Sequence, residues 1–273
     1  MRSFHLHLVS DATGETIHSV ARACLVQYED AHAIEHAWSM VRSARQLERV
    51  VQGIEANPGL VLYTLVDDKL RRALEDACRG MRIPCIAALD PVMMALGQFL
   101  HARTRNLPGR QHEMDAEYFA RIEAINFVMA HDDGQSMRDL DEADVVLVGV
   151  SRTSKTPTCI YLANRGIKAA NVPIVPGCPV PHELDELARP LIVGLTVDPA
   201  SLVHVRRNRL RLLNESRDTE YTDADAVKAE VAAARKLFTQ RSWPVLDVSR
   251  RSVEETAASI MQMYMERKAQ VAT

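Results

Sequence analysis

Val145-Val146-Leu147-Val148-Gly149-Val150-Ser151-Arg152-Thr153-Ser154-Lys155-Thr156 is the stretch on which the fold turns. Six mostly apolar residues run into a polar loop, and the apolar residues Cys159, Ile160, Tyr161, Leu162 and Ala163 follow. A strand, a loop and a helix start in that order are the repeating unit of a parallel α/β sheet. Pro157 fits a first helical turn, where its missing N–H would have no intrahelical partner. Asn164-Arg165-Gly166 supplies the stop, with glycine just past the end. From Gly149 the letters run G-x-x-x-x-S-K-T, one residue away from the phosphate-binding pattern G-x-x-x-x-G-K-[ST].

Such a loop works by pointing successive backbone N–H groups into one concavity at the positive end of a helix. Gly149, Val150, Ser151, Arg152, Thr153, Ser154, Lys155 and Thr156 are therefore expected to bind a nucleotide. Lys155 would reach the terminal phosphate, and Thr156 would place its hydroxyl on Mg²⁺. The plainer alternative is an ordinary βα connection. Ser154 stands where the pattern has glycine; it fits if it keeps a negative φ, or if its hydroxyl adds a donor to the phosphate. Lys155 is expected to be exposed on the loop, so that replacing it leaves the fold intact.

The chain has 273 residues, 47% hydrophobic and 25% charged, with 33 basic against 36 acidic side chains. That is an ordinary soluble composition with room for two domains. A net charge of −3 gives no general attraction to nucleic acid or to an anionic membrane, so any basic site must be local. No apolar run approaches the roughly 18 residues of a membrane span, and no secretory signal is evident. Cys24, Cys78, Cys85, Cys159 and Cys178 are odd in number and never spaced C-x-x-C. They are expected to be reduced thiols in a cytoplasmic protein.

Working outward from the loop, stretches 4–10, 34–41, 60–66 and 83–89 have strand character, and 15–27, 44–54, 68–79 and 92–102 have helix character. The alternation predicts a parallel sheet covered by helices. Between Arg103 and Met114 the chain turns polar, with Leu107, Pro108, Gly109, Arg110 and Gln111. The predicted fold class is α/β: an N-terminal parallel-sheet domain over 1–104, a connecting segment and helix over 105–140, and a P-loop kinase-like α/β domain over 141–273. Within the last, 171–175 and 191–197 are expected strands, 182–188 a short helix, and 253–268 a long amphipathic helix.

Asp198 ends the 191–197 strand, where a carboxylate can hold Mg²⁺ or act as a base. It can equally cap the next helix. The run His204-Val205-Arg206-Arg207-Asn208-Arg209-Leu210-Arg211 makes Arg206 and Arg209 candidates for a phosphate or substrate clamp. The alternative is a solvated helical face. Near the N-terminus, Ser10-Asp11-Ala12-Thr13-Gly14-Glu15-Thr16 offers either ligand groups at a sheet edge or a capping box. His131-Asp132-Asp133-Gly134 offers an acid, a base, a metal ligand or simply a turn.

Taken together, Ser10 to Thr16, Arg121-Ile-Glu-Ala-Ile125, His131 to Gly134, Gly149 to Thr158, Lys168-Ala-Ala-Asn-Val-Pro173 and Arg251-Ser-Val-Glu-Glu-Thr256 resemble the pyruvate, phosphate dikinase regulatory protein family. Members of that family are bifunctional kinase and phosphorylase proteins. The resemblance implies that ADP donates its β-phosphate to a dikinase threonine and inactivates the dikinase. It also implies that inorganic phosphate removes the phosphate again, releasing pyrophosphate. On this resemblance Lys155 and the loop amides bind phosphates, Thr156 and Asp198 hold Mg²⁺, and Asp198 or Asp132 is the base. Dikinase regulators resemble this chain in having Ser-Lys-Thr, whereas members acting on phosphoenolpyruvate synthase carry Gly-Lys-Thr, so Ser154 favours the dikinase. A homodimer is suggested by the family. The residues alone also fit a small-molecule kinase using ATP, or a nucleotide sensor without catalysis.

Overall fold

The computed structural model describes residues 2–104, 116–212 and 221–271. The polar stretch expected at the domain junction, from Leu107 to Gln111, lies outside the described residues. The chain divides into two compact units, Met1–Glu113 and Met114–Thr273. Each is built on its own four-stranded parallel sheet, in agreement with the α/β class expected.

In the first unit the chain runs β1 (Arg2–Ser10), α1 (Glu15–Leu25), β2 (Ala31–Trp38), α2 (Ala44–Ala56), β3 (Gly59–Thr64), α3 (Asp68–Gly80), β4 (Cys85–Ala87) and α4 (Asp90–Leu100). The sheet order is β2-β1-β3-β4. Alternate residues of β1 serve two cores: Leu6 and Leu8 pack with Ile17 and Ala21 of α1, and Val9 packs with Leu47, Val50 and Leu74 of α2 and α3. Side-chain caps start two of the helices, with Ser43 accepting from Gln46 N and Asp67 from Lys69 N and Leu70 N. Strand β2 stops at Trp38, short of the expected Val41. Met40 turns into the left-handed region at φ 58, and Met40 N and Val41 N leave the ladder to bond Ala12 O and Ser10 O. Gly14, at φ 87, is the N-cap of α1, without a side-chain hydrogen bond. Asp11 is buried, its Oδ2 accepting from Val66 N across the sheet edge.

In the second unit the elements are α5 (Ala116–Ala130), β5 (Val145–Val150), α6 (Lys155–Ala163), β6 (Ala169–Ile174), α7 (Glu183–Glu186), β7 (Leu191–Thr196), α8 (Pro199–Leu212), α9 (Ala224–Gln240), β8 (Val245–Asp247) and α10 (Val253–Val271). The sheet order is β6-β5-β7-β8. Every residue of β5 and β7 is buried, which is why both are unbroken apolar runs rather than alternating ones. Helix α5 sends Ala124, Phe127 and Val128 into this core, and α10 sends Ala257 and Ile260. Tyr264 of α10 donates to Asp144 Oδ1 at 2.5 Å, just before β5. Gly149 is required for space: a Cβ there would lie 2.8 Å from Leu195 O and 2.9 Å from Thr153 Oγ1. Among the described residues, no helix is long and apolar enough to cross a membrane, and all five cysteines are free thiols.

Candidate functional site

Because β6 lies on one side of β5 and β7 on the other, the C-terminal end of β5 is the switch point of the sheet. There the two following connections leave on opposite sides and open a crevice. Residues 151–154 fill that position. Thr153, buried, donates its hydroxyl to Val150 O at 3.0 Å and so closes the loop on the strand. Arg152 at φ 72 and Ser154 at φ 59 are both left-handed, and alternation of hand turns successive amides toward one side as an anion-binding nest. Ser154 therefore does not keep the negative φ expected as one way to fit it. It takes up the glycine conformation itself, at a cost of about 1 kcal/mol. It caps α6 without a side-chain hydrogen bond, which leaves first-turn amides for a ligand.

Lys155 departs from the expected exposed position. It is 5% exposed, and Nζ donates to Gly149 O at 2.9 Å and Val150 O at 3.0 Å. Burial pulls its pKa down to about 8, against the opposing pull of Asp133 and Asp132. Thr156 donates its hydroxyl to Asp132 Oδ1 at 2.8 Å. Asn171, buried on β6, donates from Nδ2 to the same Asp132 oxygen and, at 3.0 Å, to Thr156 Oγ1. Asp133, at φ 49, points its residue into the site from the short turn 132–134. His131 anchors that turn: its ring stacks on Phe127 at 4.0 Å, and its two nitrogens lie 2.9 Å from Phe127 O and 2.8 Å from Arg138 O. With both nitrogens so engaged, the ring serves as a strut.

Ser151, Arg152, Ser154, Lys155, Thr156 and Asp133 surround a cavity of about 300 Å³, walled by Pro173 and Val205. Its donors are hard oxygens and amides. Among the described residues no group of three or more His, Cys, Asp or Glu side chains forms an all-protein metal cage. The set instead fits Mg²⁺, which takes one or two protein oxygens and fills the rest of its octahedron with phosphate oxygens and water. Thr156 and Asp132 are the residues that would hold it.

The remaining expected site residues lie elsewhere. Asp198 is exposed and caps α8, its Oδ2 accepting from Ser201 N at 2.9 Å and Ser201 Oγ at 3.0 Å. Those hydrogen bonds hold its carboxyl below the usual carboxylate range. Arg206 does not face the cavity: its side chain is 1% exposed and grips Glu230 of α9 with Nη1 at 2.7 Å and Nη2 at 2.9 Å. Nη2 also donates to Ser151 O at 3.2 Å, and the guanidinium lies 4.4 Å from the Tyr221 ring. The arginine thus fixes the loop backbone, not a phosphate. Arg209 is exposed on α8 and does not line the cavity. Asp133, Asn171 and Tyr221 are the site residues the sequence pattern underweights. Asp133 stands beside an equally acidic neighbour, and nothing local marks Asn171 as turned toward Thr156.

The second unit is thus a parallel α/β unit that brings a buried lysine, a threonine hydroxyl and a carboxylate to one cavity at its switch point. The chain belongs to the kinase/pyrophosphorylase family, whose model matches residues 6–261. It is similar to proteins named as candidate pyruvate, phosphate dikinase regulatory proteins. One from Paramagnetospirillum magneticum is 59% identical over 264 residues, covering 97% of this chain and 85% of the relative. Another from Rhodospirillum rubrum is 56% identical over 262 residues, covering 96% and 95%.

Proposed function

We propose that this chain regulates pyruvate, phosphate dikinase by reversible phosphorylation of a dikinase threonine. In one direction the β-phosphoryl group of ADP passes to the threonine oxygen, AMP leaves, and the dikinase is inactivated. In the other, inorganic phosphate takes the phosphoryl group from phosphothreonine, giving pyrophosphate and the free hydroxyl. The observation that carries this reading is the convergence of Lys155, Thr156 and Asp133 on one cavity, with Asp132 held against Thr156 beside it, in a member of the kinase/pyrophosphorylase family.

In this proposal the loop amides and the Lys155 ammonium bind and orient the transferring phosphate, at the positive end of α6. When bound, Mg²⁺ supplies charge neutralisation at the phosphate oxygens. Asp132 is engaged by Thr156 and Asn171, so the proton of the acceptor threonine falls to Asp133, which lines the cavity. The same carboxyl returns a proton to the threonine oxygen in the phosphate-dependent direction. The protein is taken to work in the cytoplasm on a protein substrate, with no role for nucleic acid, and as a homodimer by family resemblance.

Incubation with purified dikinase and ADP labelled in its β-phosphate tests the reading. Label on a dikinase threonine is expected. Donation from ATP but not ADP points to an ordinary kinase; binding without transfer points to a sensor; transfer only to phosphoenolpyruvate synthase moves the target.

A further inference from the structure

Asn171 is a polar residue in the middle of β6, flanked by buried Ala169, Ala170 and Val172. Packing alone would favour an apolar side chain there, because a buried amide must find partners or lose its hydration without return. Its backbone N–H donates to His131 O at 3.2 Å, which ties β6 to the turn that carries Asp132. Its Nδ2 spends both hydrogens on the site, one on Asp132 Oδ1 and one on Thr156 Oγ1. The amide orientation is fixed by chemistry: turned over, its oxygen would face an acceptor-only carboxylate. Held this way, Asn171 Oδ1 is buried without a hydrogen-bond partner among the described residues. The residue forgoes its acceptor to place its donors.

We infer that Asn171 is a positioning residue that aims a lone pair of Thr156 Oγ1 at the divalent cation accompanying the nucleotide. The inference rests on the loop reading above. A hydroxyl oxygen has one proton and two lone pairs. The proton of Thr156 is committed to Asp132 at 2.8 Å, and one lone pair accepts from Asn171 at 3.0 Å. One direction is left, on a residue that lines the cavity. Without Asn171 the Thr156 hydroxyl is free to rotate, and Asp132 loses the donor that holds its carboxylate in place. Both effects weaken the metal and spare the amide cradle and Lys155, which bind phosphate without it.

The experiment is calorimetric titration of ADP into the full-length protein with and without Mg²⁺, for wild type, Asn171→Leu and Asn171→Ser. Leu keeps the volume and removes the donors; Ser is the safer variant for folding, and its hydroxyl is too short to bridge both partners. Mg²⁺ should strengthen ADP binding to the wild type. In both variants that strengthening should shrink by about tenfold or more, the usual cost of losing a residue that orients a metal ligand. Affinity for ADP without Mg²⁺ should stay within about twofold, since the phosphate cradle does not include Asn171. Strengthening equal to wild type in the variants overturns the inference, and so does a matching loss with and without Mg²⁺, which would mark a structural role. A wild type whose ADP affinity ignores Mg²⁺ overturns the loop reading itself, a result separable from the other two.

Discussion

Lys155 holds its ammonium on the carbonyls of Gly149 and Val150 while 5% exposed, and two measurable consequences follow. Its folded pKa of about 8 lies below the ordinary 10.5, so between those values the unfolded chain binds more protons than the folded one. Stability therefore rises as pH goes from about 8 to 10.5, by at most about 3 kcal/mol. Lys155→Met should lose this rise, as read by urea unfolding across that window. A parallel rise in the variant would place the titration elsewhere. ADP affinity should fall as pH climbs through about 8, because only the charged amine attracts phosphate, and Lys155→Met should bind weakly with no such slope. Ser154 carries a second prediction at this scale. Relieved of its left-handed strain, Ser154→Gly should be more stable by about 0.5–1 kcal/mol, the strain less the entropy glycine returns to the unfolded chain. Denaturation midpoints check it, and a loss of stability would contradict the φ of 59.

At the scale of elements, the strand–loop–helix from Val145 to Ala163 was readable because an apolar run, a polar loop and a helix stop occur within a few residues of each other. The ion pair of α8 and α9 was not. Arg206 lies in an arginine-dense run whose letters suit an anion clamp, and its true partner, Glu230, is on a helix that the sequence patterns left unassigned. Buried pairs punish the loss of one member more than the loss of both. Arg206→Met should cost about 3–5 kcal/mol, and adding Glu230→Leu should restore part of it. Urea unfolding of the single and double variants decides this, and equal additive losses would deny the coupling. Gly149 ties β5 to β7 by close approach. Gly149→Ala should cost about 1–3 kcal/mol, since the new methyl must push Leu195 O or Thr153 aside. Asn171 and Asp133 were hidden for a related reason: a pattern of letters records spacing along the chain, whereas Asp132, Thr156 and Asn171 meet only once β5, β6 and the 132–134 turn are in place.

Across the whole molecule, both units use the same strand order, with the first strand between the second and third. The loop after β5 lines a cavity; at the corresponding end of β1, Asp11 accepts from Val66 N and Thr64 donates to Ser10 Oγ. Fold class was thus legible in both halves, while the local hydrogen bonds that shape each switch point were not. One loop, on the function proposed here, serves both directions of phosphate transfer. The most direct test is a paired assay of wild type and Lys155→Met on dikinase, measuring threonine phosphorylation from ADP and pyrophosphate release from phosphothreonine plus phosphate. Both activities should fall together, to below about 1% of wild type, for loss of a charge on the transferring group. Loss of one activity with the other intact would contradict a shared loop.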